Sequence, residues 1–230
     1  MLLIKHEGAT NPGTEGFTFF GGGSFTNTAV SPDGATGFDA WKLQSGVGSS
    51  FAFQNHTWTP SELTSISTLP RLVQMRLRVV DANDAVDPGM LAFWSFSGKE
   101  YFVAFGSNAS GDPIVGLGAT FTSYPQQYTV TGAAGQYVLY ELTDYDADGT
   151  FRLLVNRTDT GLDFAGTTSV ETRIGFGDGS GAGGHNGNAN WNLFLVDVPE
   201  PSAAALAAIG ALFLLRRRTG RNGEWGMVHG

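Results

Sequence analysis

Between Arg71 and Val80 the run RLVQMRLRVV alternates strictly, with Val73, Met75, Leu77 and Val79 on one side and Gln74, Arg76 and Arg78 on the other. A period of two puts successive side chains on opposite faces, so this segment predicts a half-exposed sheet strand. Shorter apolar bursts predict further strands at 16–20, 39–43, 50–54, 90–96, 100–105, 127–131, 136–142, 151–155, 172–176 and 191–198. Turn-forming stretches such as PDGATG, ANDAVDPG and GSNASGDP separate them. Ten or more short strands at this spacing predict an all-β sandwich or barrel. One helical signal interrupts the pattern. In TPSEL, Thr59 is placed as N-cap, Pro60 at the first helical position and Glu62 at the third, a reciprocal capping box that predicts a short helix across one end of the sandwich.

Composition supports one domain with appendages. The 230 residues are 41% hydrophobic and 12% aromatic, enough for a sizeable core, and the 33 glycines suit many turns. The formal charge is −8; residues 1–198 alone carry 9 Lys+Arg against 19 Asp+Glu, or −10. That balance argues against a nucleic-acid partner. The absence of cysteine excludes disulfides, thiol nucleophiles and zinc–cysteine sites. At the start, MLLIKHEG holds only a fragment of the basic-then-apolar pattern of an export signal, so no complete signal peptide is visible in this sequence.

The C-terminal part departs from the rest. Pro199-Glu200-Pro201 is followed by the uncharged run SAAALAAIGALFLL and by Arg216-Arg217-Arg218. As a helix, residues 203–215 reach about 20 Å against a hydrocarbon core of about 30 Å, so insertion calls on snorkelling arginines and local thinning. A helix apolar on every face is a poor fit to the surface of a soluble domain. The order of motif, apolar helix and basic cluster resembles the PEP-CTERM sorting signal of Gram-negative and related bacteria. That resemblance implies export, transient membrane anchoring, processing by an exosortase-type membrane protease, and release to the cell surface or an exopolysaccharide matrix. The positive-inside rule agrees, putting the arginines in the cytoplasm and the domain outside. Residues 219–230 form a polar tail past the point where such signals usually stop. Within 1–198, the stretches DAWKLQSGVGSSFAFQ, YELTDYDADGTFRLLVN and IGFGDGSGAGGHNGNANWNLFLVDV are similar to segments of concanavalin A-like, laminin-G-like domains. This likeness implies a jelly-roll β-sandwich followed by a short C-terminal hydrophobic helix.

Candidate chemistry centres on DYDADG. Its D-x-D-x-D-G spacing sets Asp144, Asp146 and Asp148 around a tight loop, as in calcium loops. Val155 stands where an EF-hand supplies its bidentate glutamate, so an EF-hand is excluded. The alternative is a plain hairpin turn in which aspartate is favoured by turn geometry. The glycine-rich stretch 175–191 offers Asp178, His185, Asn188 and Asn190 to a ligand at the sandwich edge, or serves only as a connection. Trp58 and Tyr124 lie near turns, where an exposed ring can stack on a sugar or simply pack inward; Trp41, Trp94 and Trp191 read as core. Catalysis finds little support. Glu100 and Glu141 are isolated from one another, the four histidines are scattered, and neither H-E-x-x-H nor G-x-S-x-G occurs. The sequence therefore points to a non-catalytic exported protein that binds carbohydrate, with calcium as the candidate ion and exopolysaccharide as the candidate partner. An extracellular polysaccharide-acting enzyme and a purely structural matrix component are the alternatives.

Overall fold

The computed structural model describes residues 1–46, 50–68, 70–81, 87–118, 124–179 and 188–198, and residues 1–198 form one compact unit. The Pro-Glu-Pro motif, the apolar run and the arginine cluster lie outside the described residues. Among the described residues no helix is long and apolar enough to cross a membrane.

Among the described residues sixteen strands run in chain order: β1 (Leu2–Glu7), β2 (Thr18–Gly22), β3 (Phe25–Val30), β4 (Ala40–Ser45), β5 (Phe51–Thr57), β6 (Arg71–Asp81), β7 (Asp87–Phe96), β8 (Lys99–Ser107), β9 (Pro113–Gly118), β10 (Gln126–Thr129), β11 (Val138–Asp144), β12 (Phe151–Val155), β13 (Thr158–Phe164), β14 (Thr167–Thr168), β15 (Arg173–Gly179) and β16 (Asn188–Asp197). They build two antiparallel sheets packed face to face. The first has the order β13-β12-β11-β6-β16-β4-β3, with β1 also on β16; the second has the order β10-β9-β8-β7-β15-β5-β2, with β14 on β8. The expected β-sandwich is therefore present.

Alternation sets the core. Val73, Met75, Leu77 and Val79 of β6 are buried between the sheets, as their period requires, alongside Val138, Tyr140 and Leu142 of β11 and Trp94, Tyr101 and Phe176 from the opposite sheet. On β7 and β8 both faces are apolar. Met90, Ala92 and Trp94 point into the sandwich, whereas Leu91, Phe93 and Phe102 join Phe53, Ala104 and Tyr124 in a second cluster on the outer side. There the rings lie over glycines of β15, and a Cβ added at Gly177 would sit 2.2 Å from the Ala52 carbonyl oxygen.

The helix α1 spans Pro60–Thr68. Its capping box is formed as expected: Glu62 Oε2 accepts from the Thr59 amide at 2.7 Å, and Thr59 Oγ1 accepts from the Glu62 amide at 3.3 Å. At the N-terminus MLLIKHEG contains β1, paired with β16 from Leu2↔Asp197 to Glu7↔Leu193, with His6 buried.

Candidate functional site

The β11–β12 connection, residues 145–150, is anchored from below before it presents anything to solvent. Its last strand residue, Asp144, is 1% exposed and turns inward to Arg71, the first residue of β6 and itself 2% exposed. Arg71 Nη1 donates to Asp144 Oδ2, Nε donates to the Ile66 carbonyl at the end of α1, and Nη2 reaches the carbonyls of Ser67 and Ala147. The guanidinium also lies 4.2 Å from the centre of the Phe96 ring. One side chain thus ties the helix, the strand and the loop together. From the other sheet, Tyr101 is stacked between Trp94 and Phe96 and donates its hydroxyl to the Gly149 carbonyl at 2.9 Å. Gly149 has φ +85°, and a Cβ there would come within 3.3 Å of the Tyr101 hydroxyl, so glycine is needed at this corner.

Above this anchor lies an open basin of about 690 Å³ on the outer face of the first sheet. Register explains its floor. Thr143 pairs with Arg152 and Arg152 with Asp163; Glu141 pairs with Leu154 and Leu154 with Asp159. Thr143, Arg152 and Leu154 therefore lie side by side, with Asp159 and Asp163 of β13 along one wall and Tyr145, Asp146, Asp148 and Thr150 of the loop along the other. Tyr145 is 68% exposed. Arg152 Nη1 approaches Asp159 Oδ2 at 3.4 Å, while Asp148 Oδ1 accepts from the Thr150 amide at 2.6 Å and Asp159 Oδ1 from the Gly161 amide at 2.8 Å.

The aspartate triplet comes together as its spacing predicts: one carboxylate oxygen from each of Asp144, Asp146 and Asp148 lies within 4.8 Å of the others. The three are not equivalent. Asp146 and Asp148 are exposed, whereas Asp144 Oδ2 is taken by Arg71 and by the Gly149 amide at 3.0 Å, and its buried Oδ1 has no hydrogen-bond partner. Burial pushes the Asp144 carboxyl above its ordinary range, with Asp148 and Asp146 adding to the shift, against the pull of Arg71 and Gly149. Asp146 and Asp148 are the members free of the core that can reach a ligand or a hard cation from the basin.

The other predicted binding residues go inward. Trp58 is 4% exposed and donates Nε1–H to the Ser95 carbonyl at 2.9 Å, so its ring is not available for stacking. Tyr124 is buried in the outer apolar cluster of the second sheet. Asp178 is buried between the sheets, where it accepts from the amide and hydroxyl of Ser45 at 2.7 and 2.9 Å and links β15 to β4. Asn188 is buried, and Asn190 donates to Asp33 Oδ2 at 2.8 Å. Asp178, Asn188 and Asn190 are turned inward because they belong to strands β15 and β16, not to the glycine-rich connection between them. His185 lies outside the described residues. Glu100 and Glu141 sit on different sheets, on β8 and β11. The residues the sequence did not single out are Tyr145, Arg152, Asp159 and Asp163. Tyr145 was inside the quoted motif, between two aspartates that mark a solvated loop.

No family model matches the chain, and no curated protein matches it. Solved structures share its fold. A conserved carbohydrate esterase from Shiga toxin-encoding bacteriophage phi24B superposes with a TM-score of 0.64 at 14% identity, covering 87% of this chain and 99% of that one. Botulinum neurotoxin type C, whose cell entry depends on interaction with two ganglioside molecules, gives 0.55 at 10% identity over 92% of this chain and 51% of that one. The binding domain of botulinum neurotoxin serotype D gives 0.54 at 10% identity, with 94% and 52% covered. This chain thus spans about half the length of the neurotoxin structures and nearly all of the phage one. At these identities the likeness is one of fold.

Proposed function

We propose that the protein is a non-catalytic carbohydrate-binding β-sandwich of the concanavalin A-like jelly-roll class, and that the basin beside β11–β13 is its binding surface. The observation that carries this reading is the pairing of an exposed tyrosine with a row of carboxylates and a guanidinium around an opening of about 690 Å³. A ring of this kind contributes apolar contact to the C–H face of a sugar, and the polar groups fix its hydroxyls. The reading is supported by the phage carbohydrate esterase and by the neurotoxin whose cell entry depends on gangliosides, both of which share the fold. The C-terminal order of Pro-Glu-Pro, apolar run and three arginines supports an exported protein that is anchored, cut by an exosortase-type protease and released to the surface or matrix.

A glycan array probed with the full chain, in calcium and again in EDTA, tests the proposal. Binding to a defined glycan that Tyr145→Ala abolishes supports it, and loss in EDTA would add a calcium role for Asp146 and Asp148. Silence from a folded chain under both conditions would leave a structural matrix role. A hydrolytic reading has one observation behind it, the gathering of Asp146, Asp148, Asp159 and Asp163 in one basin. All four are exposed, whereas a general acid needs surroundings that keep it protonated. An esterase needs an activated nucleophile, yet among the described lining residues no histidine accompanies the hydroxyls of Thr143 and Thr150. Product release from an array-positive glycan would favour that second reading.

A further inference from the structure

We propose that the basin selects glycans carrying protonated amino groups, such as hexosamine polymers lacking their N-acetyl groups, over neutral and anionic ones. The inference rests on the carbohydrate-binding reading and adds the charge of the ligand.

Four carboxylates line the basin against one guanidinium. Arg152 approaches Asp159 at 3.4 Å and stands opposite Asp163 in the register, so one exposed guanidinium serves the β13 wall, while Asp146 and Asp148 on the loop form no ion pair among the described residues. The neighbouring Asp144 does not add to this demand, because Arg71 meets its charge from beneath. The described domain sits in a chain segment of net charge −10, so the wider field draws cations toward the basin rather than screening it from them. An ammonium group placed between these carboxylates makes charge-assisted hydrogen bonds, which are shorter and stronger than those available to a hydroxyl. A uronic acid in the same place meets like charge and needs a bridging divalent cation.

The remaining lining argues for a sugar rather than a bare polyamine. Tyr145 offers an exposed ring at the rim and Leu154 an apolar patch on the floor, and both match the C–H face of a pyranose. The opening also falls within the size range of small-ligand sites, about 300–1,000 Å³. An amino sugar satisfies charge and ring together.

The test is calorimetric titration of the full chain with a glucosamine oligomer and with its N-acetylated counterpart of equal length. The free-amine oligomer should bind about tenfold more tightly at low salt, the sum of a few exposed ion pairs. The preference should shrink as salt rises and vanish between about pH 6 and pH 9 as the amines lose their protons. The double variant Asp146→Asn/Asp163→Asn, with folding checked by near-ultraviolet circular dichroism, should lose most of the preference while keeping the binding common to both oligomers. Tyr145→Ala should weaken both alike. Equal affinity for the two oligomers would overturn the charge preference and leave carbohydrate binding standing. Calcium-dependent binding of a polyuronate in place of the amino glycan would overturn it in favour of cation bridging. Spermine bound as tightly as the oligomer would show charge recognition without a sugar. Failure of the folded chain to bind any glycan would remove the carbohydrate reading itself.

Discussion

Two buried aspartates, each facing an arginine of β6, behave in opposite ways. Asp33, 3% exposed, has both oxygens filled: Arg78 donates from Nε at 2.8 Å and from Nη2, Tyr137 donates its hydroxyl at 2.6 Å, and Asn190 its amide at 2.8 Å. Burial pushes its carboxyl upward, but those donors outweigh it and hold the pKa at about 2. Asp144 has Arg71 and the Gly149 amide on one oxygen, nothing on the other, and two more aspartates close by; its pKa moves up. A buried ion pair is therefore not a uniform unit. What decides the preferred charge state is whether every lone pair is met and what other charges share the space.

The largest effect should come from breaking the less satisfied pair on its cationic side. Arg71→Met keeps much of the volume over Phe96 but leaves Asp144 buried without its cation and frees the carbonyls of Ile66, Ser67 and Ala147. We expect a loss of about 3–5 kcal/mol in denaturant unfolding. A cost below 1 kcal/mol would mean that Asp144 is protonated in the folded state and that the pair is no anchor. The next effect concerns Asp33. Its folded pKa lies below the ordinary 3.8, so the folded state favours the charged form by about 2 kcal/mol at neutral pH. That stability is lost as pH falls from about 4 to about 2. Asp33→Asn should cost about this amount at pH 7 and flatten the acid limb of the stability curve; an unchanged limb would sink the assignment. Asp144→Asn is the smallest. Because the folded pKa of Asp144 is raised, the folded state holds its proton more tightly than the unfolded chain and acidification adds stability at this site; the neutral amide can still accept from Arg71, which keeps its three carbonyl partners, so Asp144→Asn should cost less than Asp33→Asn in matched unfolding curves. The reverse ranking would erase the contrast between the two pairs.

Much of the sandwich was legible because its strands have one wet and one dry face. The alternation of β6 placed Val73 through Val79 correctly, and the same parity put Arg71 on the core side, a signal present in the sequence though it was not drawn out. Strands β1, β3, β9, β13 and β14 were missed, and three of them show why. In β3 and β13 threonine, asparagine and aspartate replace apolar alternation, because both strands close an edge of the first sheet and are largely solvated. In β9 the outward positions are Ile114, Gly116 and Gly118, so glycines stand where alternation would show polar side chains and only Val115 and Leu117 mark the inner face. Missing β13 also meant missing Asp159 and Asp163, and so half of the basin.

The sequence alone determined the elements whose cause is local: the alternating strands, the Thr59–Glu62 capping box, the tight aspartate loop and the acidic balance of the domain. Each follows from neighbours within a few residues and from side-chain chemistry that acts over that range. Tertiary structure decided which polar groups are buried and which converge. Asp178 and Ser45 meet across 133 positions of chain, Asp33 and Asn190 across 157, and Arg71 and Asp144 across 73. The same packing turned Trp58 inward and left Tyr145 facing solvent. Long-range pairing in a β-sandwich carries no local period, so the accessible chemistry emerges only once the sheets are assembled.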